Sequence, residues 1–570
     1  MKFKLRPLLS VALLTSASLT QADCSSVSGS PCSSTALNVS LDDLSCTPQI
    51  VNETAYAQTF LSTRPQQSNT ARTQMGTASR IHQFAKQEFN GDVSLALEWQ
   101  QSTEADKIGS WFFFNGTNTM TYGPNWTAGN TQAGGGTTYK NVNALNFGTT
   151  GSGSITANPR VQNLIADLEL YLGLDEFVEG LYLRFGLPVN YVRTDMRLVD
   201  TNLYPATQNF YSGDFANSST TVPVPFTDLA NAWAGNQAIG NMTVGRTIGN
   251  INGRRSETSV AGLIIELGYE FLRRETGHMG LGLLFVAPTG NQPNAAYLFE
   301  PISGANSCYQ IGGTVNAAYE LWSNNDNSTL SFYLDAEISH LGKHNQKRLL
   351  GLQNIANGAT AASTVPSPGA SWLLLKEFTT NTNTYNGTLI SAANILGLVV
   401  KIGNAVMGDM ALSLKYRRNN YGVSLGYNFW GRSAESACAR EQSLFATNSG
   451  TSYAVKDASG GSLGTNSTCL NTGNTTCAQK STSDITGSGA TVSAGTTQYF
   501  TDADVAVCPA LQPASISNKV FGTLEYTWAD NEWEPYMLVA GTYEMGMSLN
   551  GMRNCTVSQW GILAKGGIAF

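Results

Sequence analysis

Charge is scarce in this sequence: only 13% of its 570 residues are Asp, Glu, Lys or Arg, about half the share found in globular proteins. A disordered chain is excluded, because it needs dense charge and few aromatics, whereas this one is 10% aromatic and 42% hydrophobic. A basic surplus is missing as well. The 33 Lys and Arg stand against 40 Asp and Glu, which leaves nothing to neutralise phosphates and excludes a nucleic-acid partner. Past the first residues no apolar run reaches the ~18 residues that a membrane helix needs, and the most apolar stretch, 395–407, is broken by Lys401 and Asn404. Histidines number four, His82, His278, His340 and His344, and none has a nucleophile or metal partner at a defining spacing. His340 and His344 stand four apart, but their neighbourhood reads as a strand end and a loop rather than a helix. Ala133-Gly134-Gly135-Gly136 lacks the Gly-Lys-Ser/Thr ending of a phosphate loop. No catalytic residue, metal or cofactor is expected, and the chain does not read as an enzyme.

What is present begins with an export leader at residues 1–22. Lys2, Lys4 and Arg6 precede an apolar stretch at 8–19, and Thr20-Gln21-Ala22 places small residues where signal peptidase cuts, before Asp23. The stretch is too short to span a bilayer as a helix. Export permits disulfides. The nine cysteines are Cys24, Cys32 and Cys46 near the start, Cys308, then Cys438, Cys469, Cys477, Cys508 and Cys555. Their spacings are too wide for a local metal signature, so disulfides are the better reading, with one thiol left free or intermolecular by the odd total.

Apolar residues then alternate with period two, the signature of half-buried strands. Leu164, Ala166, Leu168, Leu170 and Leu172 turn at Asp175-Glu176 into Leu181, Leu183, Phe185 and Leu187. Four more hairpins follow: Leu263 to Phe271 with Met279 to Ala287, Ile311 to Leu321 with Phe332 to Ile338, Met410 to Tyr416 with Tyr421 to Phe429, and Val520 to Trp528 with Met537 to Tyr543. A last strand ends the chain with Trp560, Ile562, Ala564, Gly566, Ile568 and Phe570 on one face. Val93, Leu95, Leu97 and Trp99, and then 108–114, offer two further strands. Turns within hairpins are short, whereas the connections at 195–258, 290–308, 342–406 and 432–516 are long and rich in Ser, Thr, Asn and Gly. A closed antiparallel barrel is the β structure that leaves no unpaired backbone in lipid. The expectation is therefore all-β: a transmembrane up-and-down barrel over 91–570 with short periplasmic turns and long extracellular loops. Bacterial barrels have even strand numbers, so twelve to fourteen strands are expected, with fourteen preferred by parity.

The leader, the alternating hairpins and the terminal Phe570, with Ile568, Ala564 and Ile562 at alternate positions, resemble Gram-negative outer-membrane barrels, porins in the broad sense. Segments such as Tyr171-Leu172-Gly173-Leu174-Asp175 and Gly426-Tyr427-Asn428-Phe429-Trp430 are similar to those of uncharacterised outer-membrane barrels, a likeness that supplies a fold and no activity. It implies that Ile562, Ala564, Ile568 and Phe570 are a signal read by the barrel-assembly machinery. Ile568 departs from the pattern of members with Tyr there, and the Cys-bearing segment before Gly91 is unusual.

With the apolar alternates facing lipid, Asp167, Glu169, Glu266, Glu270, Glu320, Asp335, Glu337 and Glu525 point into the lumen, beside Arg184, Lys415, Arg417 and Lys565. An acidic excess on such a wall favours cations, and charges that pair across a filled barrel are the other reading of the same residues. Trp99, Trp322, Trp430, Trp528, Trp533 and Trp560 fall near strand ends and fit interfacial girdles. Residues 23–90 lack alternation and read as a periplasmic tail, a lumen plug or a short helix at 79–88. The expected activity is passive passage of small polar solutes through the outer membrane with mild cation preference, both termini being periplasmic. A non-conducting surface barrel acting in adhesion or surface-layer structure, and a transporter of an apolar ligand with an N-terminal hatch, are the competing readings. Outer-membrane lipid is an expected partner; monomer and homo-oligomer stay open.

Overall fold

A computed structural model of the chain describes residues 58–81, 90–113, 117–123, 142–143, 147–149, 151–204, 224–235, 237–239, 242–324, 327–352, 370–379, 384–404, 406–440, 450–455, 500, 505–528, 533–546 and 556–570. The leader and Cys24, Cys32, Cys46, Cys469, Cys477 and Cys555 lie outside them.

Twelve long strands form the wall: β1 Asn90–Ser102, β2 Arg160–Gly173, β3 Leu181–Asp195, β4 Leu263–Arg274, β5 Gly277–Ala287, β6 Gln310–Asn324, β7 Ser328–Leu341, β8 Met407–Arg418, β9 Tyr421–Arg432, β10 Ser515–Thr527, β11 Glu534–Gly546 and β12 Gln559–Ala569. Each pairs antiparallel with the one before it, and β12 returns to β1 in the register Val93↔Ile568 and Trp99↔Ile562. Phe570 and Gly91 seal the seam through backbone hydrogen bonds of 3.0 and 2.9 Å. Closure removes the sheet edge, so each wall strand has a partner on both sides. A thirteenth strand, Arg254–Val260, extends the sheet beyond β4 by pairing with the far half of β3.

The ring has twelve strands, not the fourteen that parity favoured. The miscounted strand is 108–114, of which 108–112 belong to a helix, Ala105–Phe112. Its buried Ile108, Trp111 and Phe112 stand at i, i+3 and i+4, the helical spacing. Ser152–Ala157 joins a small sheet outside the wall. Among the described residues no helix is long and apolar enough to cross a membrane.

At one end of the ring the strands join through short turns, and Asn90 and Phe570 lie there. At the other end the long connections fold onto one another. They form small sheets, one from His344–Leu349, Gly397–Asn404 and Glu435–Arg440 and another from Leu374–Thr379, Thr384–Ser391 and Thr451–Val455. Over them packs an apolar core that includes Trp111, Trp233, Phe299, Leu350, Trp372 and Leu511. This loop cap also holds buried polar ties: Arg348 donates to Glu435 at 3.2 Å, and Glu435 accepts from the backbone of Gln512 at 2.9 Å.

Residues 58–81 run inside the ring. The segment starts in the cap, where the Gln58 N–H donates to the Trp111 carbonyl at 2.9 Å and Leu61 joins the cap core. It contains one helix, α1 Thr70–Thr77, whose first turn is capped by the Asn69 side chain accepting from the Arg72 N–H. The helix expected at 79–88 falls mostly outside the described residues, which omit 82–89. α1 kinks at Gly76, whose φ of 79° lies in the left-handed region and where a Cβ would run into Leu538 and Tyr536 of the wall.

Candidate functional site in the barrel lumen

The two faces of the wall differ in kind. Large apolar side chains cover the outside: Leu95, Leu97, Leu168, Leu267, Leu283, Phe285, Ile311, Leu425, Leu524, Val539 and Ile562 are all exposed, Leu283 and Leu425 at 72%. Monomeric proteins in water rarely carry a contiguous apolar surface of this extent, and an apolar belt around a closed barrel is what a bilayer requires. The chain is a closed β-barrel with the apolar exterior of a membrane-spanning barrel. Trp99 and Trp560 pack edge to face at 4.8 Å near the loop end, and Trp322, Trp528 and Trp533 are exposed near the turn end. Trp430 is the exception to the expected girdle. It is buried inside, on the lumen parity of β9, with the Arg64 guanidinium 5.8 Å from its ring.

Inside, the barrel holds charge. The segment 58–81 contains three arginines and no acid, and each arginine sits on acids of the wall. Arg64 donates to Asp409 on β8 at 2.6 Å and to Glu544 on β11 at 3.1 Å. Arg72 reaches Asp167 on β2 at 2.7 Å and Glu98 on β1 at 3.1 Å. Arg80 pairs with Glu525 on β10 and lies 4.1 Å over the Tyr536 ring. The arginines stand eight residues apart and descend from the loop end to the turn end, as Asp409 and Glu544 lie near the loop ends of their strands and Glu525 near the turn end of its own.

Between these rungs the segment is held by polar contacts. Gln74 donates to Asp335 at 2.8 Å, the Thr73 hydroxyl donates to Glu169 at 2.7 Å, and the Ser68 hydroxyl donates to Glu337. Lys565 donates to Glu169 at 2.9 Å and to the carbonyls of Arg72 and Thr73, while Lys415 bridges Glu525 and the Ser79 hydroxyl, each at 2.7 Å. Arg184 donates to Glu266 at 3.1 Å and to the Thr73 hydroxyl at 2.8 Å. Charges taken out of water are tolerated only when paired, and a guanidinium with two carboxylates meets that demand.

Nine of the twelve charged residues that the alternation assigns to the lumen therefore lie in contact with the segment or with one another, and a tenth, Glu270, is 3.5 Å from Arg273. Glu320 and Arg417 instead line a cavity of about 500 Å³ at the turn end, with Arg274, Lys415, Tyr319, Tyr333 and, from the segment, Ala78, Ser79 and Ile81. Asp92, Glu98, Asp409, Lys519 and Glu544 belong to the same inner surface and went unnamed in the sequence reading. Each has the parity of its strand's lumen face, so extending the alternation to the strand ends finds them. On β12, Ile562, Ala564 and Ile568 form an outward row, and the Phe570 ring lies 6.1 Å from Trp533.

Cys308, beside the loop end of β6, is a free buried thiol that accepts a contact from Gln346 Nε2 at 3.6 Å. Burial pushes it up to about 11.

No family model matches this chain, and no curated protein does. Solved structures similar to it include an outer membrane channel from Pseudomonas putida F1, at 8% identity and a TM-score of 0.33, with 84% of this chain and 96% of that chain covered. A FadL homologue of Pseudomonas aeruginosa is 9% identical, with 85% and 90% covered and a TM-score of 0.25. The NanC porin is 8% identical, with 72% and 93% covered and a TM-score of 0.24. At scores this low the barrel's own geometry carries the assignment.

Proposed function

We propose that this barrel is a channel for small polar solutes, seen here closed, with residues 58–81 as its plug. The observation that carries the reading is the arginine ladder: an insert with three positive charges and no negative one, held in an acidic wall mainly by polar contacts, with one small apolar patch where Ala71 and Met75 meet Phe521, Leu538 and Leu563. Polar contacts can be exchanged for water and solute at modest net cost, which an apolar plug in an apolar lumen could not do. The cavity beneath Ile81 is the vestibule into which such a route opens, and the charged lumen suits polar rather than apolar solutes. Withdrawal of the three arginines leaves the wall with an excess of carboxylates, the basis for a mild preference for cations. Short turns and Phe570 face the periplasm in this reading, and the outward row Ile562, Ala564, Ile568 and Phe570 is what the assembly machinery reads.

The test is conductance in a planar bilayer, comparing the folded mature protein with a variant in which Arg64, Arg72 and Arg80 are all Gln. The variant is expected to give steady, cation-favouring steps where the parent is mostly closed. Silence from a variant that is demonstrably a folded barrel overturns the channel. A second reading, a surface barrel whose loops engage other molecules, draws on the loop cap, since connections that merely linked strands would need no apolar core of their own. Removing cap residues 435–455 would abolish surface binding under that reading while leaving conductance in place.

A further inference from the structure

The direction in which the plug runs has a topological consequence. Gln58 is fixed in the cap by Trp111, Thr59 donates to the Pro509 carbonyl at 2.8 Å, and Ser62 donates to Gln512 at 3.0 Å. From there the chain descends through the ring, past Arg64 near the loop ends of β8 and β11 and Arg80 near the turn ends of β10 and β11, and β1 starts at the turn end with Asn90. The chain thus enters the lumen at the end opposite Phe570. Whatever precedes Gln58 cannot cross back through the wall, which is closed by backbone pairing at every strand. Nor can it return through the lumen beside a plug that occupies the rungs on β1, β2, β8, β10 and β11.

We infer that the chain before Gln58 lies on the side of the long loops, so that the barrel carries its N-terminal segment through its own lumen and presents it beside the cap. With the orientation proposed above, that side is the cell exterior. On this inference the two termini lie on opposite sides, where the sequence led to the expectation that both are periplasmic.

The experiment places an epitope at three points in the full-length protein: after Ser40, after Gly450 in the cap, and after Glu176 in a short turn. Antibody binding is then read on intact and on permeabilised cells. Each tagged protein is first shown to run as a folded barrel on an unheated gel. The inference expects the Ser40 tag to behave as the Gly450 tag does, both being stained on intact cells, with the Glu176 tag stained only after permeabilisation. A Ser40 tag that follows Glu176 instead overturns it. If Ser40 and Gly450 both require permeabilisation while Glu176 does not, the shared side stands and the proposed orientation in the membrane fails. Brief proteolysis of intact cells with a protease of broad specificity gives the answer without insertions: peptides from residues 23–57 should be released, and peptides from 174–180 should not.

Discussion

The barrel and its cap have opposite interiors. The barrel encloses arginines, lysines and carboxylates around one small apolar patch of Phe521, Leu538 and Leu563 and keeps most of its leucines outside, whereas the cap encloses Trp111, Trp233, Leu350 and Trp372 in an ordinary apolar core. One chain builds both, and the reason lies in the solvent. In lipid, apolar side chains gain nothing by turning inward, so the wall releases them to the outside and the lumen is left to polar groups. A cap in water buries apolar surface because water expels it. The barrel interior is consequently stabilised mainly by pairing, which is directional and exchangeable, and the cap mainly by packing, which is neither.

The contrast can be broken most sharply at Arg72. Arg72→Met leaves Asp167 and Glu98 buried without a cation; losing one partner of a buried pair costs roughly 3–5 kcal/mol, so the plug should loosen, seen as bilayer conductance and as protease cleavage in 58–81. A closed, resistant variant would mean that packing holds the plug. In the cap, Trp372→Ala removes a buried indole that donates to the Gly249 carbonyl at 2.8 Å, at a cost of ~3–5 kcal/mol. The cap should then become protease-sensitive while the ring keeps its mobility on unheated gels. Leu425→Arg sets a charge on the lipid face and should cost about 2–4 kcal/mol if that position is near the bilayer midplane, measured by urea unfolding in lipid vesicles. A near-zero cost would place Leu425 outside the apolar belt. Cys308 sharpens the comparison further: with burial holding the thiol up to about 11, it should resist maleimide at pH 8 in the folded protein and react after denaturation. Least is expected from Lys107→Ala. Its pair with Glu104, at 3.4 Å, is exposed, and such surface pairs contribute under ~1 kcal/mol.

The wall was largely legible in the sequence because a period of two reports which face meets lipid, residue by residue, and eleven of the strands follow from that alternation together with β1. The stretch 108–114 misled because a short apolar run is compatible with either period, and its helical spacing decides only once a cap exists to bury one face. Trp430 misled for a related reason: its place near a strand end suggests a girdle, yet its parity turns it inward to Arg64. The lumen charges were legible one at a time, but their partners were not. Nothing local in Gln58 to Ile81 alternates, and three arginines eight residues apart do not record which distant acids they meet.

The sequence by itself determined the barrel, its apolar exterior and the acidic character of its inner wall, since all three depend on near-neighbour alternation along each strand. Only the tertiary structure decided that the acids are met by Arg64, Arg72 and Arg80, that the long loops share one apolar core, and that the chain enters from the loop end. Those facts join residues hundreds of positions apart, such as Arg64 and Glu544. Charge and burial couple through space, and no pattern along the chain records which distant groups the closed ring brings together.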